Sequence, residues 1–410
     1  MFDVNRIRRD FPLLHKIDQG QLDWVYFDNA ATTLKPQSVI DAVTQYLSET
    51  PVNIHRGEYD LSFAVSNAYE AARTTVAQFI NAQPDEVVFT HGTTSSLNMV
   101  AYGLGQILLK PDDVVLLSVA EHASNVLPWF RATKLAGARI EYIDLNDNGS
   151  FSLEAFKAAL HPKVKVVSLA HISNVLGFIL PITAITEMAH AVGAVVVVDG
   201  AQSVAHMPTD VKASDVDFLT FSAHKMLGPT GIGALYGKRA WLEQLPPFEL
   251  GGGSNARFDT SGRLSLRSVP QRFESGTPAI EGALGFKAAI EYLSALDMRA
   301  IETVEHELRR YALERLASND KLEWINRDAP TGILTFNVKG IFAQDVATYL
   351  NAQHIAVRTG NHCAKLLVEK IKVPDTVRAS LSFYNTRSDV DRLVEALDTI
   401  TLEKCIDLYL

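Results

Sequence analysis

Cysteine is scarce in this chain: Cys363 and Cys405 are the only two among 410 residues. So few exclude a disulfide framework and fit a reducing compartment. No cysteine pair has zinc-finger spacing and no His-Glu-x-x-His occurs, so no metal is expected. Long apolar runs are missing as well. The most continuous, Ala194 to Val198, falls far short of the ~20 residues of a membrane span. Charges at Asp3, Arg6, Arg8, Arg9 and Asp10 interrupt any signal-peptide core. A cytoplasmic protein without membrane contact is expected. Basic residues are not in excess. The formal net charge of −9 gives no field to gather nucleic acid or anionic lipid. Repeats and low-complexity stretches are absent.

What is present is ordinary globular material, 47% hydrophobic and 21% charged. Short β-branched runs alternate with helical patterns through the first two-thirds. Strands are expected at 86–90, 113–118, 139–143, 163–170, 194–198 and 216–221, with helices at 94–109 and 182–192. Their hydrophobicity is continuous rather than alternating. That marks strands covered on both faces, hence an α/β fold with a mainly parallel sheet between helices. Ligands on such sheets sit beyond the carboxyl ends of the strands. After about Ile280 the pattern becomes α+β: helices at 281–293, 300–316, 343–353 and 388–400, and strands at 332–338, 355–358 and 377–383. The stretch from Gly251 to Arg267 reads as a surface loop. We expect a large domain over 15–290 and a small one over 291–410, joined by the N-terminal segment 1–14.

The residues just after the strands carry the chemistry. Asp199 ends an apolar run ahead of a glycine turn, where a carboxylate either points into a crevice or caps the next helix. Lys225 follows another run and precedes a Gly/Pro-rich turn. A lysine amine there can condense with a carbonyl cofactor, and pyridoxal phosphate needs such a lysine plus an acid for its pyridine nitrogen. Two other readings fail. A P-loop ending in Gly237-Lys238 would need glycine where Ile232 stands, and Gly231, Gly233 and Gly237 miss the dinucleotide spacing by one residue. His91 to Ser96 joins a strand to a helix, as an anion cradle or as a plain N-cap, with Ser222 and His224 able to complete it. His122 is placed either to stack on a flat ring or simply to pack. A lone cysteine is usually a small hydrophobe, but Cys363 lies in a polar glycine turn beside Arg358 and His362, which favours a reactive thiolate. Cys405 has no such setting. Arg378 sits on an apolar strand and must be paired, with a substrate carboxylate or a structural acid.

Together these segments resemble the class V aminotransferase-like family of fold-type I pyridoxal-phosphate enzymes. More narrowly they resemble cysteine desulfurases of the SufS/CsdA type. The resemblance rests on Tyr26-Phe-Asp-Asn-Ala-Ala31, Asn53-Ile-His-Arg-Gly57, Gly92-Thr-Thr94, Glu121-His-Ala-Ser-Asn125, Val198-Asp-Gly-Ala-Gln-Ser203, Ser222-Ala-His-Lys225, Arg272 to Pro278, Arg358-Thr-Gly-Asn-His-Cys-Ala364 and Arg378-Ala-Ser. It implies a seven-stranded large domain and a small domain carrying the cysteine. Lys225 would hold pyridoxal 5'-phosphate, Asp199 would pair with its pyridine nitrogen, Gln202 with its phenolic oxygen, and His122 would stack on the ring. Thr93, Thr94, Ser222 and His224 would hold the phosphate, with Thr277 from the other subunit of a homodimer. Arg378 and Asn174 would bind the substrate carboxylate, with Arg358 and His55 nearby. L-Cysteine would yield L-alanine and a persulfide on Cys363, passed to a SufE-like or SufU-like acceptor for iron–sulfur cluster assembly. Selenocysteine lyase is the alternative on the same scaffold. A transaminase, or a non-catalytic scaffold holding the cofactor, would not need Cys363. Asn361 stands where close relatives often carry a histidine.

Overall fold

The computed structural model describes residues 2–409. Its main sheet has seven strands: β1 (Val87–Thr90), β2 (Val114–Ser118), β3 (Arg139–Ile143), β4 (Val164–Ala170), β5 (Val195–Asp199), β6 (Phe218–Ser222) and β7 (Gly233–Gly237). They lie side by side as β1-β7-β6-β5-β4-β2-β3. All neighbouring pairs run parallel except those made by β7, which is antiparallel to both β1 and β6. Every residue of β2, β5 and β6 is buried, as their unbroken apolar runs require. The edge strand β3 is largely exposed.

Strand β7 was not legible, because its glycines read as a turn. Its place explains them. A Cβ on Gly233 would lie 2.5 Å from the carbonyl oxygen of Phe221 and 2.6 Å from Cα of Gly92. Only glycine lets three backbones meet at that point.

The C-terminal part holds a second, antiparallel sheet of β8 (Leu322–Trp324), β9 (Ile333–Val338), β10 (Arg358–Gly360) and β11 (Thr376–Ser380), in the order β8-β9-β11-β10. Its register sets Arg358 directly opposite Arg378, so the two side chains share one face. Helix Ile280–Leu296 is continuous across residue 290 and packs on helices Gln37–Glu49 and Asp60–Phe79 of the large domain. The next helix, Met298–Arg315, packs on Arg387–Thr399 of the small one. The change of partner falls at Asp297, which has φ 67°.

The N-terminal segment returns to the C-terminal part. Arg8 pairs with Asp389 at 3.3 Å and donates to the carbonyl of Tyr384, while Phe11 packs on the Tyr384 ring. The stretch read as a loop between Gly251 and Arg267 is instead an antiparallel hairpin, Asn255–Phe258 with Leu264–Leu266. Asp259 closes its turn by accepting from the amides of Ser261 and Arg263. Such a local side-chain turn leaves no apolar pattern to read. No helix among the described residues is long and apolar enough to cross a membrane.

Candidate active site

At the carboxyl ends of the central strands lies a cavity of about 230 Å³. The residues around the main sheet line it with Thr93, Thr94, His122, Asn174, Asp199, Gln202, Ser222, His224 and Lys225. The C-terminal part adds Arg358, Cys363 and Arg378. Residues far apart in sequence therefore converge on the crevice where the strand rule places a ligand.

One end of the cavity is a helix N-terminus. Gly92 caps helix Thr93–Ile107 with φ 137°, and a Cβ there would press on Ser222 Oγ at 3.1 Å. Ser222 Oγ accepts the Thr93 amide at 2.8 Å and lies 2.8 Å from Thr93 Oγ1. Thr94 Oγ1 meets Ser124 Oγ at 2.7 Å. Hydroxyls and the positive end of the helix thus face one spot, the setting that binds phosphate. Ser124 went unnoticed in the sequence, as a serine two residues past His122 carries no pattern of its own. The His224 carbonyl accepts from Lys35 Nζ at 2.9 Å and from the Thr33 amide. Burial lowers the His224 ring to about 4, helped by Lys225 and Lys35, so it is neutral.

Asp199 and Lys225 occupy the middle. Asp199 both caps and lines: one carboxylate oxygen accepts the Ala201 amide at 2.9 Å, and the residue faces the cavity. Its other oxygen meets no donor among the described residues. Burial pushes its pKa up, against the pull of Lys225. Lys225 ends the short turn after β6, and burial lowers its amine to about 8. His122 Nδ1 accepts the Ser124 amide at 3.1 Å, and burial brings the ring to about 4. The bond assigns the neutral tautomer with its proton on Nε2. Gln202 Nε2 spends one N–H on the Ala30 carbonyl, leaving the other free.

The third region holds the arginines and the cysteine. Arg378 is only 3% exposed; it donates to the Asn174 carbonyl at 2.9 Å and to Asp28 at 3.2 Å. Its Nε is buried without a partner. Arg358 lies 3.8 Å from the other Asp28 oxygen, so one carboxylate serves two guanidinium groups. Arg378 therefore has a structural acid and still an unsatisfied donor. Sequence reasoning missed Asp28, whose pairing depends on a register between distant segments. Cys363 is exposed, while Cys405 is buried. The Cys363 carbonyl accepts from Ala123, and Asn174 Nδ2 donates to the His362 carbonyl at 2.8 Å.

His55 is not brought here, and Thr277 is expected here only from a partner subunit. His55 donates its amide to Ser66 Oγ and sits 3.4 Å from Glu70. Thr277 is exposed and also lies outside the cavity lining of this chain. Arg73 pairs with Glu70, its neighbour on helix Asp60–Phe79 that also meets His55, and with Glu274, three residues before Thr277.

The aminotransferase class-V family model matches residues 25–393. The chain belongs to the class-V aminotransferase family. Relatives it matches include proteins named cysteine desulfurase or probable cysteine desulfurase. A probable cysteine desulfurase of Halalkalibacterium halodurans is 41% identical, with 97% of each chain covered. A cysteine desulfurase of Haloferax volcanii is also 41% identical, covering 97% of this chain and 96% of that one. Among solved structures, the cysteine desulfurase CsdA of Escherichia coli superposes with TM-score 0.91 at 36% identity over 100% of this chain and 99% of that one. The family's cofactor is pyridoxal phosphate, and the residues present fit it. A buried carboxylate lacks a donor on one oxygen among the described residues, a buried amine has its pKa lowered to about 8, and the Gly92 cradle lies at a helix N-terminus that lines the cavity.

Proposed function

We propose that this chain is a pyridoxal-phosphate-dependent cysteine desulfurase that takes sulfur from L-cysteine, gives L-alanine, and receives the sulfur on Cys363. The carrying observation is that Lys225 and Cys363, remote in sequence and on different domains, line one cavity. A transaminase needs the first but has no use for the second.

Pyridoxal phosphate bound to Lys225 supplies an electron sink for the α-carbon of an amino acid. Thr93, Thr94, Ser222 and His224 would hold its phosphate, Asp199 would pair with its ring nitrogen, Gln202 would donate to its phenolic oxygen, and His122 would pack against the ring. Arg378, whose Nε is unsatisfied, takes the substrate carboxylate together with Arg358 and the free N–H of Asn174. The Lys225 amine, held at about 8, moves the α-proton. The Cys363 thiolate attacks the substrate sulfur: an S–S bond forms, the C–S bond breaks, and its electron pair stays with the carbon. That carbon takes a proton, alanine leaves, and the persulfide passes to an acceptor protein of the SufE-like or SufU-like kind for iron–sulfur cluster assembly. A cytoplasmic homodimer in which Thr277 reaches the partner's phosphate completes the reading. Cys363→Ser is the test. With acceptor present it should form alanine from L-cysteine at least about a hundredfold more slowly, with the bound-cofactor spectrum intact. Full alanine production by that variant would sink the proposal.

A further inference from the structure

The loop that carries Cys363 is unusual in its backbone. Gly360 has φ 111°, His362 φ 50° and Cys363 φ 59°. Left-handed conformations at two successive residues with side chains cost energy and persist only where neighbours impose them. Five tethers are visible. Asn361 Oδ1 accepts the Cys363 amide at 3.0 Å, and the Asn361 carbonyl accepts the Ala364 amide at 2.8 Å. The Ala123 amide donates to the Cys363 carbonyl at 2.7 Å. His362 is buried, with Nε2 2.9 Å from Thr376 Oγ1 and its carbonyl taken by Asn174.

Three of these tethers reach across from β11 or the large domain. Only the Asn361 side chain acts on the cysteine from within its own loop. An asparagine oxygen two residues ahead of an amide forms a local turn that fixes the backbone of the residue it holds. The exposed thiol gains nothing from a buried core, so its direction depends on the dihedrals of its own residue. We infer that Asn361 is a positioning residue for the nucleophile: its side-chain oxygen locks the Cys363 backbone so that the sulfur points into the cavity shared with Lys225. The inference rests on the desulfurase reading. It assigns Asn361 to the sulfur-transfer step and not to substrate binding, since Asn361 does not line the cavity.

The test compares Asn361→Ala, Asn361→Asp and the unchanged holoenzyme. Alanine formation from L-cysteine, the bound-cofactor spectrum, and amide exchange of a peptide spanning 358–366 are measured on each. Losing one hydrogen bond should lower kcat of Asn361→Ala about five- to tenfold. KM should stay within about twofold and the cofactor spectrum unchanged, while exchange in the peptide speeds up. Asn361→Asp keeps an acceptor oxygen at the same reach, and should restore slow exchange and most of kcat. Unchanged kcat in Asn361→Ala would overturn the inference. So would a loss that falls on KM, or one that Asn361→Asp fails to rescue. If the unchanged holoenzyme makes no alanine, the desulfurase reading fails first, and the exchange result alone then decides whether Asn361 holds the loop.

Discussion

The Ala123 amide donates to the Cys363 carbonyl at 2.7 Å, joining the two domains one residue after His122. The bond ties the position of Cys363, the proposed nucleophile, to the loop that presents the His122 imidazole.

Removing that donor should therefore slow sulfur transfer. Ala123 is the first residue of a short 3-10 turn, and His122 before it is extended with φ −65° and ψ 147°. Proline suits the backbone at 123, a helical first position preceded by an extended residue, and its ring Cδ takes the place of the amide hydrogen, so it both removes the donor and presses the Cys363 carbonyl away. Ala123→Pro should keep its fold and cofactor spectrum and lose about fivefold in kcat. Steady-state kinetics on L-cysteine decide it; wild-type kcat in Ala123→Pro would mean the bond positions nothing.

Arg378 offers a sharper split. Lysine keeps the charge but cannot grip a carboxylate with two parallel N–H donors. It also cannot serve Asp28 and the Asn174 carbonyl in the arginine's geometry. Arg378→Lys should raise KM for L-cysteine about tenfold or more, with a smaller effect on kcat. A KM within twofold of the unchanged enzyme would remove Arg378 from carboxylate binding.

How much of this was legible follows the range of the forces involved. The valine-rich strands, the lysine after β6 and the aspartate that ends β5 declare themselves locally, because burial on both faces and position at a strand end are properties of short segments. Strand β7 hid behind its glycines, whose cause is a close approach to Gly92 and Phe221 from distant stretches. Asp28 looked like part of a motif, and its task of holding Arg358 and Arg378 exists only once β10 and β11 pair. His55, expected from resemblance, turns toward Glu70 and lies outside the cavity of this chain, while Thr277 is expected only from a partner subunit. Asn361 could be noted as a departure, but its hydrogen bond to Cys363 needed coordinates.

Asp199→Asn tests the ring-nitrogen pairing. The amide keeps the bond from Ala201 yet cannot hold a proton on a buried pyridine nitrogen. Cofactor should still bind through Lys225, while kcat for L-cysteine falls roughly 10²–10³-fold, the scale of losing one preorganised electrostatic contact. Spectroscopy confirms loading and the desulfuration assay reads the rate. A loss of less than about threefold would free Asp199 from this role.

Glu121 lies behind Asp199, out of the cavity lining, and its carboxyl is buried. One oxygen accepts from Asn125 Nδ2 at 2.7 Å and from the Ala170 amide at 2.8 Å. Burial, aided by the Asp199 charge, pushes its pKa up from 4.5 to about 8. In the unfolded chain it ionises near the lower value. Between the two, the folded protein holds more protons than the unfolded one, so this group's contribution to stability falls as pH rises. Glutamine keeps an acceptor for both hydrogen bonds and carries no such penalty. Glu121→Gln should therefore gain thermal stability relative to the unchanged chain as pH climbs from 5 to 8, by about 2 °C or more in Tm. Melting curves of both proteins across that range give the answer. A Tm difference that stays flat with pH would show that Glu121 is ionised in the fold, and that its charge is borne by groups other than those named here.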